Sequence, residues 1–171
     1  MSGLKTQLKR LVNWLVGDQL RAIEDRSSFS VWMSHLQTAR KQYNKAVEIG
    51  EFGFSCFSQS NEDGILDFLT TSLRFDSSSR FLEIGTQDYA ESNTRFLYSR
   101  LHCKGTIVDC CSRYNERVRR VLGDTYWKGR LETVESFVTL ENVKLVIGRE
   151  YDLISIDIDG NDFWILAEIL K

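Results

Sequence analysis

Apolar residues recur at helical spacing along the first part of the chain: Leu4, Leu8, Leu11, Val12, Leu15, Val16, Leu20 and Ile23. Positions three and four apart share one helix face, so the spacing predicts an amphipathic helix over 4–25. Ser27 and Ser28 interrupt that pattern. A second helix is predicted from about Ser30 to Ile49, with Val31, Trp32, Leu36, Tyr43 and Val47 on its apolar side. The glycines of "GEFGFS" (50–55) then mark a break. These two helices read as an accessory layer, packed on the body or against a second copy.

Beyond Ser58 short apolar runs alternate with helical patterns. "SQSNEDGILDFLTTSL" reads as a loop feeding a helix, with Asn61 as cap and Glu62 and Asp63 at the positive end of its dipole. "RFLEIG" (80–85) is a strand, "ESNTRFLYSRL" (91–101) a helix, "GTIVDCC" (105–111) a strand and "RYNERVRRVL" (113–122) a helix. "RLETVESFV" (130–138) holds a third strand. "TLENVKLVIG" (139–148) is a short helix with Thr139 as cap and Asn142 in its first turn. "YDLISIDIDG" (151–160) is a fourth strand, where Leu153, Ile154, Ile156 and Ile158 fit burial on both faces, and "NDFWILAEIL" begins a last helix. Strand alternating with helix implies an α/β fold with a four-stranded parallel sheet covered on both faces. The predicted division is an N-terminal helical extension over 1–55 and an α/β domain over 56–171.

Charge adds an asymmetry. The 171 residues are 42% hydrophobic and carry a formal net charge of −2, which argues against non-specific nucleic-acid binding. Residues 1–50 hold 8 Lys and Arg against 4 Asp and Glu, and the remainder holds 14 against 20. A mildly basic helical part thus precedes an acidic body, and Arg113, Arg117, Arg119 and Arg120 read as the charged face of one helix. Cys56, Cys103, Cys110 and Cys111 form no C-x-x-C pair and read as reduced, buried, cytoplasmic thiols. His35 and His102 are too scattered for a histidine metal site. No apolar run is long enough to predict a membrane span. Lys5, Lys9 and Arg10 interrupt the apolar run that a secretory signal would need.

In an open α/β sheet, ligands bind beyond the carboxyl ends of the strands. The first predicted strand ends in Glu83-Ile84-Gly85, the second in Asp109, and the fourth in Asp157-Ile158-Asp159-Gly160. Acids there suit a ligand bearing hydroxyls and an amino group, not phosphates. Gly85 allows a sharp turn and a close approach of the backbone to a cofactor. Asp109 follows it by 24 residues, the spacing at which an acid closing the next strand binds the hydroxyls of an adenosine ribose.

The stretches "SQSNEDGIL", "FLEIGTQDYAESNTRFL", "GTIVDCC" and "YDLISIDIDGNDFW" together resemble class I S-adenosylmethionine-dependent methyltransferases, the FkbM-like branch in particular. The resemblance covers roughly two thirds of the chain and implies a Rossmann-like sheet. It also implies that Glu83, Gly85, Thr86, Gln87 and Asp88 hold the methionine part of S-adenosylmethionine and that Asp109 holds the ribose. Asn93 and Thr94 would begin the helix beneath the cofactor. Asp157 would lie near the transferred methyl group, with Asp159 and Gly160 alongside. Asp157 or Asp159 is the expected acceptor of the substrate proton. Methyl transfer to a small-molecule or sugar hydroxyl is the implied reaction.

Two departures qualify it. The E-x-G-x-G-x-G pattern has Gln87 and Tyr89 where glycines are common, and larger side chains are expected to crowd the loop. The family sheet has seven strands, whereas this sequence stops in the helix after the fourth. A fragment, or an edge covered by a second copy or by the N-terminal helices, is therefore expected. Two alternatives stand beside this reading. One is a glycosyltransferase whose D-x-D, with Asp162, holds Mn²⁺ beside a nucleotide sugar. The other is a non-catalytic half-sheet that binds neither ligand. In the methyltransferase reading no residue is assigned to a metal.

Overall fold

The computed structural model describes residues 2–41, 43, 48–126 and 129–171. The chain opens with one continuous helix, α1 (Ser2–Arg40). The break predicted at Ser27 and Ser28 is absent. Serine in a helix interior costs only a few tenths of a kcal/mol relative to the best helix formers, and no proline is present to stop the turn. Part of the predicted second helix (42 and 44–47) lies outside the described residues.

The apolar positions predicted within α1 divide: Trp32 and Leu36 pack on the body, and the others whose side chains are described do not. Val16, Leu20, Ile23 and Val31 are exposed. The side chains of Leu4, Leu8, Leu11, Val12 and Leu15 lie outside the described set. The helix reaches the body through Asp18, Arg21 and Asp25, which make ion pairs, and through Phe29, Trp32 and Leu36. These positions recur three and four apart, so they form a face of their own. Phe29, Trp32 and Leu36 pack against Phe54, Phe57 and Phe96, with the Trp32 and Phe54 rings stacked at 4.3 Å. Fully burying one such side chain contributes about 1.5–3 kcal/mol, enough to seat the helix.

A latch closes the end of α1. Asp67, fully buried in α2 (Glu62–Ser72), takes two hydrogen bonds from the Arg40 guanidinium (2.8 and 3.0 Å) and one from the Tyr43 hydroxyl (2.7 Å). The Arg100 guanidinium stands 2.9 Å from the same carboxylate. Asn61 does not cap α2: it takes a left-handed conformation and makes no side-chain cap bond. The Asp63 carboxylate reaches back to accept the N–H groups of Cys56, Phe57 and Ser58 at 2.7–2.9 Å, fixing the entry loop.

The sheet comprises β1 (Arg80–Ile84), β2 (Lys104–Asp109), β3 (Leu131–Glu135) and β4 (Leu153–Ile156), all parallel, in the order β3-β2-β1-β4. The helices between and after them are α3 (Arg95–Leu101), α4 (Tyr114–Leu122), α5 (Val143–Ile147) and α6 (Asp162–Ile169). Alternation along each strand divides the core. Phe81 and Ile107 face one side with Tyr98 of α3 and Val118 of α4. Leu82, Ile84 and Val108 face the other with Val143 of α5 and Ile165 of α6. The result is the predicted α/β, Rossmann-like layering, with the N-terminal helix added.

Several element bounds differ from the predicted ones. The third strand ends at Glu135, and residues 136–142 form a loop. That loop is held by the Asn142 side chain, which accepts the Thr139 N–H (2.8 Å) and donates to the Phe137 carbonyl (2.8 Å), so Asn142 and not Thr139 supplies the side chain before α5. Residues 91–94 precede α3 as a turn. The residues of β4 are half-buried, because the strand stands at the sheet edge rather than in its middle. The cysteines are free, and Cys110 is exposed rather than buried.

Candidate functional site

After β1 the chain winds outward through β2 and β3, then returns to place β4 on the other side of β1. That reversal is the topological switch point, where loops diverge and leave a crevice. A cavity of about 740 Å³ opens there at the carboxyl ends of the strands. It lies within the range of about 300–1,000 Å³ usual for small-molecule sites.

Gly85 has φ +86°, and a Cβ built on it would meet the Asp157 carbonyl oxygen at 1.9 Å. The absence of a side chain at Gly85 is thus required by the end of β4, while the residue also lines the cavity. Gln87 (φ +50°) and Tyr89 (φ +66°) also adopt the left-handed region. The backbone thus repeats a glycine conformation at 85, 87 and 89, although only the first is glycine. Left-handed backbone costs an ordinary residue about 1–2 kcal/mol. The expected crowding by Tyr89 does not occur. Its ring is fully buried in the core and its hydroxyl lies 3.0 Å from Thr94 Oγ1, so it anchors the turn from below. Gln87 is exposed and lines the cavity.

Two of the predicted acids hold loops. Glu83 is fully buried; it accepts the Ser92 hydroxyl (2.6 Å), the N–H groups of Asn93 and Thr94 (2.9 and 3.0 Å) and the Thr94 hydroxyl (2.5 Å). Burial pushes its proton affinity up, against those four donors. Asp109 lines the cavity, but its Oδ2 accepts the N–H groups of Thr86 and Gln87 (3.0 and 2.7 Å) and its Oδ1 that of Cys111 (2.9 Å). A carboxylate offers about four acceptor positions. With three positions taken, the carboxylate has one left for a hydroxyl rather than two for a diol. The Cys111 thiol beside it is pushed up to about 11, first by the Asp109 carboxylate and then by burial. Thr86 is buried, its hydroxyl bonded to that of Tyr114.

Asp157 and Asp159 both line the cavity and are exposed there. Desolvation, then the charges of Asp159, Asp162 and Glu62, raise the Asp157 carboxyl above its usual range. Asp162 turns away: it accepts the N–H groups of Ile158 (2.7 Å) and Gly160 (3.0 Å), and the first of these holds its carboxyl below the usual range. Among the described residues, no group of three or more His, Cys, Asp or Glu side chains stands where it could hold a metal ion. The D-x-D stretch therefore presents two carboxylates rather than a cage.

Asn93 and Asp88 stand outside the main cavity. Asn93 borders a smaller polar recess beside Glu83, with its amide 3.3 Å from Ser155 Oγ. Asp88 faces α1, 3.9 Å from the Arg21 guanidinium, in a charged groove between α1 and α4 that also takes in Arg113, Arg117 and Arg120.

The loop after β3 and the start of α6 supply wall residues that sequence reasoning missed. Phe137, Leu140 and Trp164, all exposed, add apolar surface to the cavity wall. Gln59 and Glu91 close the rim through a 3.0 Å hydrogen bond, and Cys110 lies beside Asp109. Phe137 and Leu140 were hidden inside a predicted strand and helix; Trp164 was legible only as the end of "DGNDFW".

Glu91, Asp109, Glu141, Asp157 and Asp159 put five carboxylates around the cavity, and no lysine, arginine or histidine is among its described lining residues. At an effective dielectric near 20, a unit charge about 6 Å from a carboxylate experiences roughly 3 kcal/mol, so ligand sign matters. Comparison of the chain with protein-family models, curated proteins and solved structures returns no match.

Proposed function

We propose that this protein binds S-adenosylmethionine in the switch-point cavity and transfers its methyl group to the hydroxyl of a small molecule or sugar. The observation that carries the reading is the charge of the wall: five carboxylates and no cationic side chain among the described lining residues. Such a wall favours a ligand with a sulfonium and an ammonium over any ligand carrying a diphosphate. A nucleotide sugar would need a metal to offset the same wall, and the donor set present does not fit one. The resemblance of the β1, β2 and β4 segments to FkbM-like methyltransferases supports the same choice.

The chain's contribution is positioning and a proton acceptor. The bound cofactor supplies a methyl group already activated by its positive sulfur. The apolar side formed by Phe137 and Leu140 suits a flat heteroaromatic ring. Asp109 holds the turn at 86–87 in place and offers one acceptor position to a ribose hydroxyl. Asp157, with its proton affinity raised, is the better placed of the two β4 acids to take the acceptor proton. Alignment of the hydroxyl oxygen and exclusion of water then complete what the reaction needs.

Thermal unfolding tests this. S-adenosylmethionine and S-adenosylhomocysteine should each stabilise the chain, by about 2.7 kcal/mol at roughly one hundred times the dissociation constant. UDP-glucose with Mn²⁺ should not. Stabilisation by UDP-glucose and Mn²⁺ alone would transfer the site to glycosyl transfer. No shift with any of them would leave a fold without either activity.

A further inference from the structure

The amino ends of the same strands carry the opposite charge. Arg80 opens β1 and pairs in register with Lys104, which opens β2. Arg130 precedes β3, and its carbonyl accepts the Gly105 N–H at 2.8 Å, which sets it beside Lys104. Neighbouring strands lie about 4.8 Å apart, so three cationic residues stand in a row across the sheet end. Arg149, in the loop before β4, joins them around a cavity of about 240 Å³.

Counter-charge is sparse there. Among the described residues Glu132 is the one acid lining the cavity, and it pairs with Arg149 at 2.9 Å, both partners being half-exposed. Exposed pairs of that kind contribute about 0–1 kcal/mol and exchange partners readily. Asp152 is engaged by the Arg80 main-chain N–H (2.8 Å), and an Arg130 N–H donates to the Ser77 carbonyl (3.0 Å). Among the described residues, neither the Arg80 guanidinium nor the Lys104 ammonium has a carboxylate within ion-pair distance. Like charges held side by side by strand register repel one another, and an anion between them removes that cost.

We infer that this cavity binds a compact dianion, specifically a phosphate or phosphate monoester group. The chemistry fits: guanidinium groups give paired hydrogen bonds to phosphate oxygens, and the lysine adds a point charge. The size fits as well. At about 240 Å³ the cavity is smaller than sites that enclose drug-sized ligands, so it takes the phosphoryl group and not a whole nucleotide. The inference is independent of methyl transfer, because the switch-point cavity lies at the opposite ends of the strands.

The test is a titration of the full chain with inorganic phosphate, followed by backbone amide shifts, with sodium chloride holding ionic strength constant. Saturable shifts confined to Gly105, Thr106, Arg130 and Leu131 are expected. Lys104→Gln and Arg149→Gln should each weaken binding about three- to tenfold. Glu132→Gln should tighten it about threefold, a gain that damage to the fold cannot produce. A parallel titration with glycerol 3-phosphate separates the sources. Tighter binding than phosphate assigns an esterified ligand, and equal binding assigns the free ion. Shifts that sodium chloride reproduces, that centre on the Asp157 end, or that persist unchanged in both cation variants would overturn the proposal.

Discussion

The two ends of one parallel sheet differ in sign. At the carboxyl ends, five carboxylates line a cavity with no cationic residue among its described lining residues. At the amino ends, the described lining of a smaller cavity has four basic residues and one acid. Parallel strands make this segregation possible, because every strand delivers its last residues to one side and its first to the other. A net charge of −2 averages the two ends away. The sequence divided charge differently, into a basic first third and an acidic remainder, whereas the fold divides it along the strand axis. A second difference lies within the acidic end. Glu83 and Asp109 hold loop N–H groups, while Asp157 and Asp159 face the cavity. A strand-end acid can therefore clamp a loop, face the cavity or, like Asp109, do both, and residue type does not tell which.

The largest expected effect tests the clamp. Glu83→Ala leaves two buried N–H groups and two hydroxyls without their acceptor and should destabilise the chain by at least about 3 kcal/mol in urea unfolding. A loss below about 1 kcal/mol would erase the distinction between clamping and ligand acids. Asp109→Asn comes next. It should cost about 1–2 kcal/mol of stability and weaken S-adenosylhomocysteine binding about tenfold, measured by calorimetry. Lost stability with unchanged affinity would make Asp109 a clamp only.

A smaller effect concerns the free acids. If Asp157 accepts the substrate proton, activity should rise with pH through a carboxyl group titrating above the usual aspartate range, since the ionised form is the active one. Asp159→Asn removes a neighbouring negative charge, lowers that proton affinity and moves the acidic limb of the pH–rate profile to lower pH. A limb that stays in place would separate the two acids. The smallest effect is at the turn. Gln87→Gly relieves left-handed backbone but loosens the unfolded chain, for a net gain of about 0.5 kcal/mol by thermal unfolding. A loss would mean that the Gln87 side chain itself supports the cavity.

Periodicity and strand-end residue types were enough to read the alternating strands and helices, the position of the turn at Gly85, and the acids at the ends of β1, β2 and β4. These are local properties: side-chain alternation, helical spacing and glycine's backbone freedom act within a few residues. Other features needed the assembled chain. Whether Ser27 and Ser28 end a helix depended on what α1 packs against; its body-facing positions include Trp32 and Leu36 from the predicted apolar side, but also Asp18, Asp25 and Phe29, which lay outside it. Gln87 and Tyr89 keep a glycine-like backbone because Tyr89 is buried beneath the turn, which residue type alone conceals. The roles of Glu83 and Asp109 were set by which N–H groups the fold brought to their oxygens. The apolar wall of Phe137, Leu140 and Trp164 and the basic row of Arg80, Lys104 and Arg130 each join residues far apart in the chain. Sequence determined what each segment prefers; strand order and register decided which side chains meet, because contacts between distant segments exist only once the sheet is assembled.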